Sequence, residues 1–475
     1  MMVVRVVVPE RAERWHDVVV SALENARGVE VEVEVVPADE PRRPQTGLLS
    51  LYARLDGWAG GGPPPRPRPG GERAPAAVVD LVGGAAPGGA PVIAPHPPRL
   101  DARALLGGLA RGERTLRLEA RVATGGGTRV AAAGRIAVAR LSARRTADRA
   151  APRMAALVVR ALAQLDGGEP VTDGGPAPAD PSSARVALLL ARAAAASVRA
   201  STTVVEWRVA RGRASSPWPF EVPGSRVPVP APAGHWYADP FVARTEAGTF
   251  VFVEDFDEAL GRASLAVVGP DGGPALPILS APYHLSYPLV FAHDGTWFMT
   301  PESGAAREIV LHRCDAFPAT WSRDTVLLDG VEAYDPTLLQ HDGRWWLFFA
   351  SGTPGAADDE LNVWFADDLR GPYEPHPRNP VVSDVVGARP AGRVVAADGR
   401  LLRPGQDGSR EYGGAIVVHE IDELTTSAYR EHPVARIDGR SVGAAGTHTL
   451  DRAGDVVVVD TKHRVLRRPA RRARP

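Results

Sequence analysis

Trp236-Tyr-Ala-Asp-Pro-Phe-Val242, followed by Gly248-Thr-Phe-Val-Phe-Val-Glu254, decides the fold because its pattern returns along the chain. From Ser286 the chain reads Ser-Tyr-Pro-Leu-Val-Phe, Asp294-Gly, and Thr-Trp-Phe-Met-Thr-Pro-Glu302. From Tyr334 it reads Tyr-Asp-Pro-Thr-Leu-Leu, Asp342-Gly, and Arg-Trp-Trp-Leu-Phe-Phe. A fourth copy runs from Ala388 through Asp398-Gly, and a weaker fifth from Gly446 through Ala453-Gly to Asp460. Each copy is an apolar strand, a tight turn carrying Gly, and a second apolar strand. Asp-Gly between such runs marks a hairpin, because the turn joining two twisted strands needs positive φ. Strand pairs recurring about every 50 residues are the signature of propeller blades, so an all-β five-bladed β-propeller is expected here rather than an irregular sandwich.

The remainder of the 475 residues is too long to belong to the same core. Residues 3–8 read as a strand, 9–27 as a helix (Trp15, Val18, Val19 and Leu23 on one face) and 29–36 as an alternating strand, a β-α-β opening that predicts an α/β domain with a parallel sheet. Further strands are expected at 78–82 and 92–94, a hairpin over 116–123 and 128–138, and an amphipathic helix over 147–165. Pro- and Gly-rich tracts at 61–75 and 83–91 read as mobile loops. Three parts follow: an α/β domain over 1–165, a linker and bridging alanine-rich helix over 166–200, and the propeller over 201–475 with an arginine-rich tail. Thr203–Arg208 is expected to close the ring by pairing with the last blade, which removes an exposed edge.

With 56 acidic against 55 basic residues the net charge is -1, so nothing draws the whole chain to nucleic acid. The single cysteine, Cys314, excludes an internal disulfide, and the opening apolar run is too short for a signal peptide or a membrane span. The expectation is a cytoplasmic protein without integral membrane association. No His or Cys spacing typical of a metal site appears, nor a nucleotide-binding loop, and no cofactor or metal is expected.

In a propeller the first strand of each blade lines the central channel, so equivalent positions converge at its mouth. Aligning the copies places Asp239, Tyr287 (with His284 just before it), Asp335, Arg389 and His448 together, ionisable or hydrogen-bonding residues that open otherwise apolar strands. A local turn, with Asp before Pro capping backbone N–H groups, is the plainer account of Asp239 and Asp335, but it does not explain Tyr and Arg at the same place. A second ring of polar groups ends the second strands: Glu254, Glu302, Gln406, Asp407 and Asp460. Paired carboxyl groups suit glycosyl chemistry, in which one activates a water or hydroxyl and a protonated partner donates to the leaving oxygen. Trp236 and Tyr287 offer faces to sugar rings, and Arg389 and Arg403 suit an anionic substituent. The catalytic candidates are Asp239, Asp335 and Glu302. The binding candidates are Trp236, Glu254, His284, Tyr287, Arg389, Arg403, Gln406, Asp407 and His448.

Trp236-x-Ala-Asp-Pro-Phe, Phe252-Val-Glu254, Tyr283-His-Leu-Ser-Tyr-Pro288, Met299-Thr-Pro-Glu-Ser303, Ala388-Arg-Pro-Ala-Gly392, Arg403-Pro-Gly-Gln-Asp407 and Tyr412-Gly413 occur in one order over about 230–431. Together they resemble the N-terminal propeller domain of the plant glucosamine inositolphosphorylceramide transferases and its bacterial relatives, in which the plant transferase chemistry belongs to a separate domain. More distantly the blade starts are similar to the five-bladed glycosidases of family 43. That likeness implies Asp239 as general base and Asp335 as the carboxylate that tunes a partner's pKa. Its acid is a Glu in the fourth blade, where this chain has Ala388-Arg-Pro, so Glu302, His284 or His448 would have to donate instead. The bacterial relatives carry a formyltransferase-like, Rossmann-type domain before the propeller. Residues 92–98 resemble a worn copy of it, with His96 lacking the Asn two residues earlier, which implies an inactive domain.

The sequence therefore leaves two readings. One is a carbohydrate-active, glycoside hydrolase-like or glycosyl-transferring propeller acting on a sugar or glycoconjugate. The other is a non-catalytic glycan-binding module in cell-surface polysaccharide or glycolipid biosynthesis.

Overall fold

The computed structural model describes residues 1–10, 12–37, 47–56, 75–82, 90–100, 102–165, 168–171, 181–351 and 358–466. The tracts 61–74 and 83–89, the 166–167 and 172–180 segments of the expected linker, and the arginine-rich 467–475 lie outside the described residues. Two compact units divide the chain, Met1–Val198 and Arg199–Pro475. No helix among the described residues is long and apolar enough to cross a membrane.

The first unit holds β1 (Met2–Pro9), α1 (Arg14–Glu24), β2 (Val29–Val36), α2 (Gly47–Asp56), β3 (Ala77–Asp80), β4 (Val92–His96), α3 (Ala102–Arg111), β5 (Thr115–Thr124), β6 (Gly127–Ala137), α4 (Ala143–Leu162), β7 (Glu169–Pro170) and most of α5 (Ser183–Thr202). Its seven-stranded sheet runs β2-β1-β3-β4-β5-β6-β7. Pairing is parallel from β2 to β4 and antiparallel from β4 onward. The parallel part follows from the β-α-β opening, since α1 buries Trp15, Val19 and Leu23 on the sheet. The helix expected at 147–165 starts earlier, where Ser142 caps it by accepting from Arg145 N–H. Helices α2 and α3 were not legible, the second because Gly107-Gly108 break its helical propensity.

The second unit is a five-bladed propeller. Blade 5 is composite and begins the unit with β8 (Thr203–Arg213) and β9 (Arg226–Val229). Blade 1 is β10 (His235–Thr245), β11 (Gly248–Asp257), β12 (Arg262–Val268) and β13 (Leu276–Leu279). Blade 2 is β14 (Ser286–His293), β15 (Thr296–Glu302), β16 (Glu308–Ala316) and β17 (Thr320–Asp329). Blade 3 is β18 (Ala333–His341), β19 (Arg344–Ser351), β20 (Glu360–Ala366), β21 (Glu374–Pro375) and β22 (Val382–Ser383). Blade 4 is β23 (Val386–Pro390), β24 (Val395–Ala397), β25 (Arg400–Asp407), β26 (Ala415–Leu424) and β27 (Tyr429–Asp438). β28 (Leu450–Ala453) and β29 (Val456–Leu466) complete blade 5 in the order β28-β29-β8-β9. The ring thus closes as expected, β8 pairing with β29 from Thr203 to Arg213.

Asp294-Gly295, Asp342-Gly343 and Asp398-Gly399 all have positive φ at both residues, the turn that matches strand twist. Apolar faces of successive blades pack on one another: Phe241, Phe252, Leu289 and Leu347 between blades 1, 2 and 3, and Val209, Val242, Val251 and Val458 between blades 5 and 1. The fourth inner strand differs from expectation, being broken at Ala391-Gly392-Arg393. There the chain turns to blade 5, with Leu450 N–H donating to Ala391 O (3.1 Å). Gly392 has φ +134°, and a Cβ at that position would lie 2.1 Å from Leu450 O.

Candidate functional site

The first strands of blades 1, 2 and 3 carry the same defect. Pairing skips from Ala238 to Phe241, from Ser286 to Leu289 and from Tyr334 to Thr337, leaving Asp239, Tyr287 and Asp335 unpaired at bulges. All three have positive φ (+46°, +48° and +52°), which for residues other than Gly costs about 1–3 kcal/mol apiece. Carboxylates of the preceding blade hold two of them there. Asp460 accepts from Asp239 N–H (3.4 Å) and Glu302 from Asp335 N–H (3.1 Å). Asp239 and Asp335 are therefore not locked into local turns.

Their side chains face groups from other blades. Asp239 accepts from Thr449 Oγ1 (2.6 Å), with His448 Nδ1 3.6 Å away, both from blade 5. Asp335 accepts from Arg389 Nε (2.7 Å) and Gln406 Nε2 (2.8 Å) of blade 4. Arg389 also reaches Asp358 (3.2 Å) and Glu302 (3.4 Å), and its guanidinium lies over the rings of Tyr334 and Tyr412 at 5.1 and 5.2 Å. Blades 2 and 4 are not neighbours in a ring of five, so the Arg389–Glu302 contact spans blade 3, whose Asp335 touches both groups.

A further layer of polar contacts ties the blades together around the axis. The Tyr287 hydroxyl pairs with Thr337 Oγ1 (2.8 Å) and accepts from Gly392 N–H (2.9 Å), joining blades 2, 3 and 4. Arg393 donates to Asp451 (2.6 and 2.9 Å) and Val290 O (3.1 Å), and Asp451 also accepts from Val242 N–H (2.9 Å), which ties blades 4, 5, 2 and 1.

The electrostatics follow from burial. Asp239 is 4 % exposed, and desolvation pushes its pKa up to about 6, with His448 opposing and Asp335 and Asp460 reinforcing the shift. Burial, then the charges of Asp239 and Glu302, hold Glu254 well above the ordinary carboxyl range. Glu302 is raised by burial and by Asp335, with Arg389 opposing. Burial alone would strip His448 of its proton, but Asp460 and Asp239 outweigh it and raise the pKa. His448 Nδ1 pairs with Asp460, whose Oδ1 accepts the N–H groups of His448 (2.9 Å) and Thr449 (3.2 Å). Asp239, His448 and Asp460 bring ligand-type atoms within 4.8 Å of one another. Those atoms are engaged with Thr449, with backbone N–H groups and with each other.

Of the sequence candidates, the structure brings together Asp239, Glu254, Glu302, Asp335, Arg389, Gln406 and His448. His284 joins them through Glu254, its Nε2 3.4 Å from Oε1. Trp236 lies along blade 1 with its ring stacked on Phe256 (4.3 Å). Three expectations are corrected. Tyr287 is fully buried and its hydroxyl is spent on Thr337 and Gly392, so it offers no face to a ligand. Arg403 is 1 % exposed inside blade 4, where Glu431 (2.8 and 2.6 Å) and Gly387 O (2.7 Å) take its Nε and Nη2 while Nη1 is buried without a partner, so the guanidinium is not presented to an anionic substituent. Asp407 pairs with Arg436 and accepts from Ser409 N–H (2.8 Å), capping a loop. Two site residues were missed. Trp207 of β8 stacks on His448 (3.9 Å, 13°), and Tyr412, 42 % exposed, meets both rings edge-on. The closing strand was legible, and an isolated Trp among its valines and arginines was the available signal for the first.

Residues 203–445 match the family model described as glucosamine inositolphosphorylceramide transferase 1, N-terminal. The chain is 34% identical over 232 residues to a glucosamine inositolphosphorylceramide transferase 1 of Oryza sativa subsp. japonica, covering 46% of this chain and 31% of that protein. It is 32% identical over 206 residues to the protein of the same name from Arabidopsis thaliana, covering 42% and 27%. The matched region thus spans about a third of the length of these curated relatives or less. Among solved structures, a family 117 glycoside hydrolase from Zobellia galactanivorans is similar at 11% identity and TM-score 0.35, covering 55% of this chain and 90% of that one. An exo-β-1,3-galactanase from Clostridium thermocellum is similar at 11% identity and TM-score 0.36, covering 49% and 54%. With its match extending over more than half of the sequence, the chain belongs to the glucosamine inositolphosphorylceramide transferase 1 N-terminal family.

Proposed function

We propose that the propeller is a carbohydrate-active unit that takes a sugar or the sugar of a glycoconjugate at its axis, cleaving or transferring a glycosyl unit. The observation that carries this reading is the pairing of carboxyl groups in contrasting states. Asp335 is matched to Arg389, whereas burial and like charges favour the protonated forms of Glu254 and Glu302. With Asp239 pushed up to about 6 and the two glutamates held well above their ordinary range, one carboxyl can ionise while another keeps its proton, which gives a base and an acid at the same pH. In this reading Asp239 is the base or nucleophile, Asp335 orients, a buried glutamate donates, and Arg389, Gln406 and His448 fix the ligand. Glu302, the glutamate favoured from sequence, already accepts from Asp335 N–H and Arg389. The relatives' name supports glucosamine inositolphosphorylceramide as the first glycoconjugate to test.

A second reading, a glycan-binding module without turnover, is favoured by one observation: Glu254 lies opposite Ala238 in the β10–β11 ladder, beside Asp239 on the same blade, instead of facing it across the channel. The test is a thermal-shift screen of the full chain against glucose, glucosamine, N-acetylglucosamine, UDP-sugars and a glucosamine inositolphosphorylceramide, since a ligand of the native state raises the melting temperature. Any hit is then assayed for product with the wild type and Asp239→Asn. Product that disappears in a folded Asp239→Asn chain supports the enzyme, binding without product supports the module, and no hit rejects both.

For the first unit we infer an inactive formyltransferase-like domain. Ala94 stands where Asn would precede His96, and β4 pairs His96 with Glu119, whose carboxylate is taken by Arg117 (2.7 Å) and Arg121 (2.8 Å). A cytoplasmic location remains part of this proposal, checked by fractionation of the producing cells.

A further inference from the structure

One loop of blade 4 crosses to blade 5 beside the site. Residues 408–414, Gly-Ser-Arg-Glu-Tyr-Gly-Gly, join β25 to β26. Within it, Tyr412 meets the His448 ring edge-on at 5.2 Å and the Trp207 ring at 6.2 Å, and the Arg389 guanidinium lies 5.2 Å from its centroid. Tyr412 is 42 % exposed, whereas Trp207 and Tyr287 are buried. The charges that act on its hydroxyl are those of Arg389, Asp239, Asp335 and Glu254, from blades 4, 1 and 3, and the hydroxyl makes no hydrogen bond to a described residue. A tyrosine so placed offers a flat apolar surface and one hydrogen-bonding atom still to be matched. A sugar ring, with its C–H faces and hydroxyl edge, can use both at once.

The loop is held from the other blade. Lys462 of β29 is the only lysine in the sequence and is 4 % exposed. Its ammonium donates to Tyr412 O and to Glu411 Oε2 (3.2 Å), 5.8 Å from the centroid of the Trp207 ring. Arg464 of the same strand also donates to Glu411. Lys462 is itself fixed through its backbone, its N–H donating to Gly446 O (2.9 Å) and its carbonyl accepting from Ala445 N–H (2.9 Å). Gly413 completes the seat: a Cβ there would lie 2.3 Å from the Trp207 ring, and a Cβ on Gly446 would lie 2.1 Å from Gly413 O. Residues 411, 412 and 413 are thus each set against blade 5. An ammonium buried this far needs its acceptors, so the loop cannot leave without stranding the charge.

We propose that Tyr412 contacts the bound sugar directly, its ring against a C–H face and its hydroxyl bonded to a sugar oxygen, and that Lys462 is the positioning residue that sets the ring beside Arg389. The inference rests on the sugar-site reading and narrows it to a ligand in ring form, free or at the end of a glycoconjugate. An open-chain polyol has the hydroxyl groups but no face to lay on the tyrosine, and binds less well.

The experiment titrates the full chain calorimetrically with glucose, N-acetylglucosamine and glucosamine, with glucitol as the open-chain control. Tyr412→Ala is expected to weaken the best of these sugars by about tenfold to a hundredfold, and Tyr412→Phe, which keeps the ring, by about three- to tenfold. Glucitol is expected to bind the wild type about tenfold more weakly than glucose and to lose little more in Tyr412→Ala. Lys462→Met is expected to weaken sugar binding about as much as Tyr412→Ala, and Tyr412→Ala added to it to cost no more than about twofold further, because a displaced ring has nothing left to lose. Should Lys462→Met not fold, the wild type carries its own reporter: isotope labelling at lysine Cε gives a single resonance, expected to shift when sugar saturates the wild type and to stay in place in Tyr412→Ala. Equal affinity in Tyr412→Ala, or glucitol bound as tightly as glucose, overturns the contact. Strict additivity of the two substitutions, or an unmoved lysine resonance, overturns the positioning role. Each of these leaves the sugar site standing. If no sugar binds the wild-type chain, the sugar-site reading itself falls and this inference with it.

Discussion

Arg389→Met is the perturbation whose cost follows most directly from the structure. The guanidinium is the shared cation of Asp335, 1 % exposed, and Glu302, 7 % exposed. Removing one partner of a buried ion pair costs about 3–5 kcal/mol, because the remaining charge is left without compensation. The loss of the two tyrosine faces adds about 1 kcal/mol. Gln406 still donates to Asp335, so the lower half of the range applies and a net loss of about 4 kcal/mol is expected. For a unit of this size that corresponds to a fall in melting temperature of roughly 10 °C. The assay is urea unfolding of the full chain followed by tryptophan fluorescence, with the buried Trp207 on β8 and Trp345 and Trp346 on β19 reporting from two strands of the ring. In an Asp335→Asn background the same substitution should cost about 2 kcal/mol less, since no charge is then stranded. A loss below about 1 kcal/mol, or strict additivity of the two substitutions, would refute the view that Arg389 holds the site's charges together.

Three further outcomes are expected. Gly413→Ala places a Cβ 2.3 Å from the Trp207 ring at a residue with φ +65°, so it should unseat the Trp207–His448 stack, cost about 1–3 kcal/mol and alter the near-ultraviolet circular dichroism. Glu431→Gln should destabilise blade 4 by about 3 kcal/mol through the stranded Arg403 and leave sugar affinity unchanged, as calorimetric titration would show. Asp239, Glu254, Glu302 and His448 all have folded pKa values above their unfolded ones, so their contribution is complete at low pH and is lost as pH rises through the folded values. Their part of the melting temperature should therefore decline from about pH 5 to pH 8, and Asp239→Asn should flatten the slope.

The ring was legible because its evidence is local and repeated. Asp-Gly turns, alternating apolar runs and a fixed spacing each reflect one hairpin, and five similar hairpins can close only on each other. The convergence of Asp239, Asp335, Arg389 and His448 followed from that register. Failures came where chemistry depends on side-chain direction. Arg403 and Arg389 look alike in sequence, yet one alternates into the blade interior and the other opens the channel strand. Tyr287 occupies the same bulge as Asp239 and Asp335, but its longer side chain reaches Thr337 and Gly392 instead. Trp207 was hidden for a different reason, since its partner His448 lies 241 positions further along the chain and meets it only when the ring closes.

The central claim is that bulge residues of successive blades meet at the axis to hold a sugar. A crystal of the full chain soaked with the strongest binder from the sugar screen tests it most directly. The account expects the sugar ring within hydrogen-bonding reach of Asp239 and Glu254, between the Arg389 and His448 sides of the ring. A sugar bound elsewhere, with the five inner positions untouched, would contradict it.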